Sequence, residues 1–303
     1  MKILLEPPTW LGDTIMMTPA LENLLNNFEN PELTLIGSNN SIDLLRGHPN
    51  VVGSYVMKKD YFSIMKLTSN IGKFDIFFSF RSSFRSSLLR LFVISKKKYQ
   101  YNFREFYSHH QVEKFNNFIN QSLKINSIAG PLAIYPADEI IRSSKSSPIL
   151  GINPGASYGS AKRWYPDEFS IVASKLSKKY DITIIGGPNE IDIAFEIEKS
   201  LIKKGVSNYK NLAGKTSIPE LISLISSFDL FITGDSGPMH IAACYKIPTV
   251  SIFGPTKDHE TSQWRNENSS ILKKNLDCQP CMKRVCPLKH HSCMKQIKAR
   301  DVI

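Results

Sequence analysis

Short apolar runs end in small-residue turns and lead into helically spaced apolar residues, and this unit recurs along the chain. Residues 1–5 read as a buried strand, Pro7-Pro8 as a turn, and Trp10-Leu11-Gly12-Asp13 as a helix opening. That helix carries Ile15, Met16, Ala20, Leu21, Leu24 and Leu25, a 3.6-residue spacing. Pro31 breaks it, and Leu33–Gly37 returns as a strand, with more strands expected near Val51–Val56 and Asp75–Phe80. Strands that alternate with helices predict a mainly parallel α/β sheet.

The pattern restarts after Ser143-Ser144-Lys145-Ser146-Ser147-Pro148, a small, polar, proline-ended linker candidate. Ile149–Ile152 is expected as a strand, Asp167–Lys178 as a helix and Ile182–Ile185 as a strand. A further unit runs from Ile218 through Phe231-Ile232-Thr233 to a helix after Gly237 and a strand over Thr249–Phe253. At 303 residues the chain exceeds one ordinary small core, so two domains are expected, 1–147 and 148–303. Two such halves predict a ligand cleft between them, at strand carboxyl ends.

No apolar run approaches the roughly 18–20 residues that cross a bilayer. Glu6 and two prolines cut short the apolar start, which therefore lacks signal-peptide shape. A cytoplasmic protein is expected, with any membrane contact peripheral. The net charge of +11 favours a polyanionic partner or simply a basic surface, and charge alone does not choose.

The segment Gly234-Asp235-Ser236-Gly237-Pro238-Met239-His240 follows a strand and opens a helix. Pro suits a first helical turn, Asp235 and Ser236 are capping types, and Gly237 lets a ligand approach the backbone. Free amides and the helix dipole then make an anion site; the competing reading is a capped helix with no ligand. Asn153-Pro154-Gly155-Ala156-Ser157 repeats the strand-to-turn pattern and is followed by Lys162-Arg163-Trp164. Lys162 suits neutralisation of a leaving diphosphate; otherwise the stretch is a solvated loop. Asp13, on the turn after the first strand, suits a general base or an N-cap. No Asp-x-Asp pair, Gly-x-Gly-x-x-Gly or P-loop occurs in the chain, so a metal bridging donor phosphates is not indicated.

Residues 81–107 interleave Arg81, Arg85, Arg90, Arg104 and Lys96-Lys97-Lys98 with Phe84, Tyr99, Tyr101, Phe103, Phe106 and Tyr107. Arginine forks match phosphates and rings stack on sugars or rest on headgroups; a solvated basic helix is the plainer reading. Cys278, Cys281, Cys286 and Cys293 have gaps of two, four and six residues, with His290 and His291 in the last. Structural zinc, disulfides and free thiols all remain open, though a reducing cytosol disfavours disulfides. Cys244 lies alone in an apolar stretch and reads as core.

Taken in order, these segments resemble glycosyltransferase family 9, the lipopolysaccharide heptosyltransferases. The likeness rests on Trp10–Asp13 with Thr18–Leu21, Asn153–Ala156 with Lys162–Trp164, Asn211–Thr216, Gly234–Ala243 and Phe253–Thr256. It is thin between about 40 and 140, and Lys162–Trp164 with Cys286–His291 looks most like the heptosyltransferase II branch. The resemblance implies a GT-B architecture of two Rossmann-like domains, the first binding acceptor and the second donor. It implies an inverting transfer from ADP-heptose to the heptosyl-Kdo-lipid A acceptor at the inner membrane surface, with no required cofactor and no nucleic acid. By position, Asp13 is then the general base, while Lys162, Ser157, Ser236 and Gly237 hold the diphosphate. Glu190 contacts the ribose, and Asp235 and His240 line the donor site. Arg81, Arg85 and Arg104 are expected at the acceptor on composition. The rivals are a GT-B transferase for another nucleotide sugar and a basic, zinc-bearing nucleic-acid-binding protein.

Overall fold

The structure is a computed structural model that describes residues 1–58, 60, 62–106, 109–136 and 147–303. The chain forms two compact units, Met1–Glu139 and Ile140–Ile303. The expected linker residues 143–146 and Tyr107 lie outside the described residues.

Unit 1 contains β1 (Lys2–Glu6), α1 (Leu11–Asn26), β2 (Glu32–Gly37), α2 (Asn39–Leu45), β3 (Val51–Val56), α3 (Phe62–Asn70), β4 (Lys73–Ser79), α4 (Phe84–Phe92), β5 (Ile94–Gln100) and α5 (Gln111–Leu123). Its strands are parallel in the order β3-β2-β1-β4-β5. Ile3, Leu4, Leu5, Leu33, Leu35, Ile36, Phe77 and Phe78 are fully buried. Such continuous apolar runs are what a sheet covered on both faces requires.

Unit 2 contains β6 (Ile149–Asn153), α6 (Pro166–Leu176), β7 (Asp181–Ile184), α7 (Ile191–Lys203), β8 (Tyr209–Asn211), α8 (Ile218–Ser226), β9 (Leu230–Gly234), α9 (Gly237–Cys244), β10 (Thr249–Ile252) and β11 (Ser269–Leu272). The parallel order is β11-β10-β9-β6-β7-β8. Counted within the unit this is the 3-2-1-4-5-6 Rossmann order, and unit 1 shows the same order without its sixth strand. The expected pair of Rossmann-like domains is therefore present.

In both units the order reverses beside the first strand, between β1 and β4 and between β6 and β9. Loops leaving two neighbouring strands there depart to opposite faces and open a crevice at the carboxyl ends. Glu6 is registered with Ser79 at one such point, and Asn153 with Thr233 at the other. Asp13, Lys162 and Asp235 all follow these strands.

The stretch 81–107 folds differently from the basic helix that was one reading of it. It makes α4 and then an edge strand, β5. Lys96 pairs with Asp75 at 2.7 Å, and the Lys98 ammonium donates to the Arg90 carbonyl at 2.8 Å. Lysines on an edge strand discourage pairing with another chain. Tyr101 and Phe106 are buried in a ring cluster with Phe115 and Phe118. Phe84 and Phe103 do stay exposed. Among the described residues no helix is long and apolar enough to cross a membrane.

Candidate active site

In unit 2 three loops converge on one carboxylate. Asp235 follows β9 and is 5% exposed, and its Oδ2 pairs with the Lys162 ammonium at 2.5 Å. The Thr256 hydroxyl, from the loop after β10, donates to the same oxygen at 2.6 Å. Lys162 also reaches the Asp235 carbonyl at 3.4 Å and lies over the Tyr158 ring, 4.7 Å from its centroid.

The lysine loop is pinned from below. Trp164 is buried, meets Phe169 edge-on and donates from Nε1 to the Ile297 carbonyl at 2.9 Å. The Lys-Arg-Trp element therefore sets one anchor and one cation two residues apart.

Behind Asp235, the buried Asn153 donates from Nδ2 to the Thr233 and Ser236 hydroxyls at 3.1 and 2.9 Å. Its Oδ1 is buried and has no protein partner among the described residues. Ser236 takes the N-cap position of α9 in extended conformation but makes no side-chain cap bond, since its hydroxyl is engaged by Asn153 and Thr233. Pro238 has no amide to offer. Ser236 and Gly237 thus present the amides that a helix opening leaves without intrahelical partners. His240 is buried on the same helix.

Glu190 is buried after β7 and accepts the Gly187 amide at 2.5 Å through Oε2. It packs so tightly on Gly155 that a side chain there would run into its carboxyl. Ser157 is exposed on the lysine loop.

Unit 1 holds a second crevice, about 360 Å³, lined by Trp10, Asp13, Arg81, Ser83, Tyr101 and Gln111 among others. Asp13 is in the first turn of α1, whose N-cap is Trp10, so aspartate is not the cap. An acid there is favoured by the helix dipole. The turn before it is fixed by the Thr14 and Ser41 hydroxyls, which donate to the Pro8 carbonyl at 3.0 and 2.6 Å. Below the crevice, Glu6 is fully buried. It accepts from the Ser79 and Ser86 hydroxyls at 2.6 and 2.9 Å and pairs with Arg81 at 3.2 Å. Burial pushes the Glu6 carboxyl above its ordinary value, against the pull of Arg81. A larger hollow of about 780 Å³ opens on Glu198, Tyr209 and Lys215 and holds none of the expected site residues.

The sequence profile of glycosyltransferase family 9 (heptosyltransferase) matches residues 70–292. The chain belongs to glycosyltransferase family 9. It is 41% identical to lipooligosaccharide heptosyltransferase 2 of Campylobacter jejuni subsp. jejuni serotype O:2, across 100% of this chain and 96% of that protein. Its fold matches the structure described as E. coli ADP-heptose lps heptosyltransferase II with a TM-score of 0.81 at 21% identity, covering 100% of this chain and 96% of that one. It also matches E. coli heptosyltransferase WaaC with ADP, at a TM-score of 0.79 and 13% identity over 100% and 98% of the two chains. The GT-B architecture and a sugar-transferring enzyme follow.

Within this family 9 enzyme, Lys162, Asp235, Ser236 and Gly237 gather at the opening of α9 in unit 2, and Ser157 shares the Lys162 loop. Asp13 and Arg81 line the crevice of unit 1, while the Arg85 charge acts on Glu6 below it. Arg104 is exposed beside Phe103 and does not line that crevice. None of the five cysteines is joined in a disulfide. Burial raises the Cys293 thiol, and Cys286, Cys278 and Cys281 add to the shift. Among the described residues no cluster of three or more His, Cys, Asp or Glu side chains has metal-binding geometry. Sequence reasoning missed Thr256 and Glu6. Thr256 lay in a quoted motif, but only the fold joins it to Asp235.

Two outcomes follow. Lys162→Ala leaves a buried carboxylate without its cation, which costs about 3–5 kcal/mol, so the melting temperature falls. Adding Asp235→Asn restores much of it; no restoration contradicts the pairing. For Glu6, the native state holds the proton more tightly than the unfolded chain does. Its stabilising contribution is full below about 4.5 and is lost as pH rises through the higher native value. A urea-midpoint series against pH should show that decline in the wild type and a flatter profile in Glu6→Gln; equal slopes contradict it.

Proposed function

We propose that the enzyme transfers L-glycero-D-manno-heptose from ADP-heptose to a heptosyl-Kdo-lipid A acceptor, in lipopolysaccharide core assembly at the cytoplasmic face of the inner membrane. On this reading residues 148–303 bind the donor and 1–147 the acceptor. The observation that carries it is the Lys162 ammonium held on Asp235 beside the opening of α9. A diphosphate leaving group needs its developing charge met, and a lysine with open helix amides meets part of it. ADP-heptose is the donor named for one structural relative, and ADP accompanies another.

Asp13 serves as the base that takes the acceptor hydroxyl proton. The nucleophilic oxygen then attacks the anomeric carbon from the face opposite the diphosphate. The bond to the leaving oxygen breaks through an oxocarbenium-like state, as in glycoside hydrolysis, and the anomeric configuration inverts. No acid is needed at the leaving group, because a diphosphate departs without a proton.

Arg81 gives the acceptor crevice a cation for a phosphorylated sugar-lipid. Glu190 and His240 complete the donor pocket at ribose and base. Membrane contact is supported by exposed Phe84, Leu91, Ile94 and Phe103 close in sequence to Arg90 and Lys96–Lys98. Apolar side chains flanked by cations suit an anionic interface.

Calorimetry with ADP-heptose, a UDP-sugar and a GDP-sugar tests the donor. ADP-heptose should bind and the others should not; preference for a UDP- or GDP-sugar contradicts the reading. Asp13→Asn should lower turnover by about 10²–10⁴, the usual worth of a general base, with the donor Kd nearly unchanged. Near-normal turnover removes Asp13 from that role.

A further inference from the structure

Lys162 is not a free cation. Its charge is matched by Asp235 at 2.5 Å, and the helix opening supplies only about half a positive charge. A nucleotide diphosphate sugar brings a negative charge on each of its two phosphates. The site as built from Lys162, Asp235 and α9 is therefore short of positive charge for the ligand proposed above.

The missing charge is close at hand on the cysteine-rich loop, to which the mechanism assigns no residue. The Arg284 guanidinium lies 5.5 Å from the centroid of the Tyr158 ring, the ring that Lys162 approaches at 4.7 Å. Both distances fall within the roughly 6 Å range of cation–π attraction. One ring thus holds two cations from segments more than a hundred residues apart in sequence.

The loop is fastened to the lysine turn at several points. Ala161 donates its amide to the Arg284 carbonyl at 3.0 Å, and the Tyr158 hydroxyl donates to the Met282 carbonyl at 2.8 Å. The Met282 amide donates to the Pro255 carbonyl at 2.9 Å, beside Thr256. A side chain on Gly159 would collide with the Arg284 carbonyl, so the close approach requires glycine there. His291 spans the Ala161 carbonyl at 2.9 Å and the Tyr165 hydroxyl at 3.1 Å, while Cys293 and Met294 sit in the unit 2 core. The Arg284 backbone is thus fixed, while its side chain remains exposed to solvent.

We propose that Arg284 is a second cation for the donor diphosphate, delivered by the cysteine-rich loop, and that Tyr158 is the positioning residue that holds it beside Lys162. The proposal rests on the donor reading above. It gives the cysteine-rich segment a role, that of a strap carrying a phosphate ligand.

The test is calorimetric titration of the full chain with ADP and with adenosine. Arg284→Ala should weaken ADP about tenfold, equivalent to about 1.4 kcal/mol, and leave adenosine within twofold. Tyr158→Leu should reproduce that loss, whereas Tyr158→Phe keeps the ring and most of the affinity. Arg284→Lys, which keeps charge but not the planar stack, should fall between. Melting temperatures near wild type show that each variant is folded; because Arg284 is exposed, this variant should pass. If wild type and Arg284→Ala bind ADP equally, the inference falls and the donor reading stands. If wild type binds no ADP, both fall.

Discussion

A buried carboxylate shared by three loops organises the second unit of this enzyme. Asp235, Lys162 and Thr256 come from the carboxyl ends of β9, β6 and β10, which are adjacent only because the sheet is parallel and doubly wound. In a low-dielectric setting neither charge is tolerable alone. The pair therefore fixes the lysine loop against the opening of α9, and Trp164 locks that loop to the core from the other side. Holding the ammonium in advance means that it loses little freedom when a diphosphate arrives, which is what preorganised electrostatic stabilisation requires.

Unit 1 solves the same topological problem with the signs arranged differently. Its reversal point also buries a carboxylate, Glu6, but two serine hydroxyls and Arg81 share it. The guanidinium is thereby directed to a crevice that Asp13 also lines. One crevice presents a carboxylate and a guanidinium, suited to activating and holding a phosphorylated hydroxyl compound. The other presents a lysine and helix amides, suited to a diphosphate. Both are consequences of where a Rossmann order reverses.

Much of this was legible because it is local. The strand-turn-helix rhythm gave β1–β4, β6, β7, β9 and β10 but not β5, β8 or β11, and a proline just inside a helix after Gly-Asp-Ser-Gly marked the α9 opening. What local pattern misses is pairing at long range. Thr256 finds Asp235 across the sheet, Glu6 finds Ser79 and Ser86, and Arg284 shares a ring with Lys162. The basic stretch left two readings open, a surface for a phosphorylated sugar-lipid and a solvated helix. Its lysines fall instead on β5, an edge strand whose cations pair with Asp75 and a helix-end carbonyl. Spacing in the cysteine segment left zinc, disulfides and free thiols open and gave no sign that its backbone is strapped to the lysine turn.

The most direct measurement of the central claim is a crystal structure of the enzyme with ADP bound. The account predicts the diphosphate within hydrogen-bonding distance of the Lys162 ammonium and of the Ser236 or Gly237 amide at the opening of α9. A diphosphate seated elsewhere on the enzyme, with the Lys162–Asp235 pair turned away from it, would contradict the account.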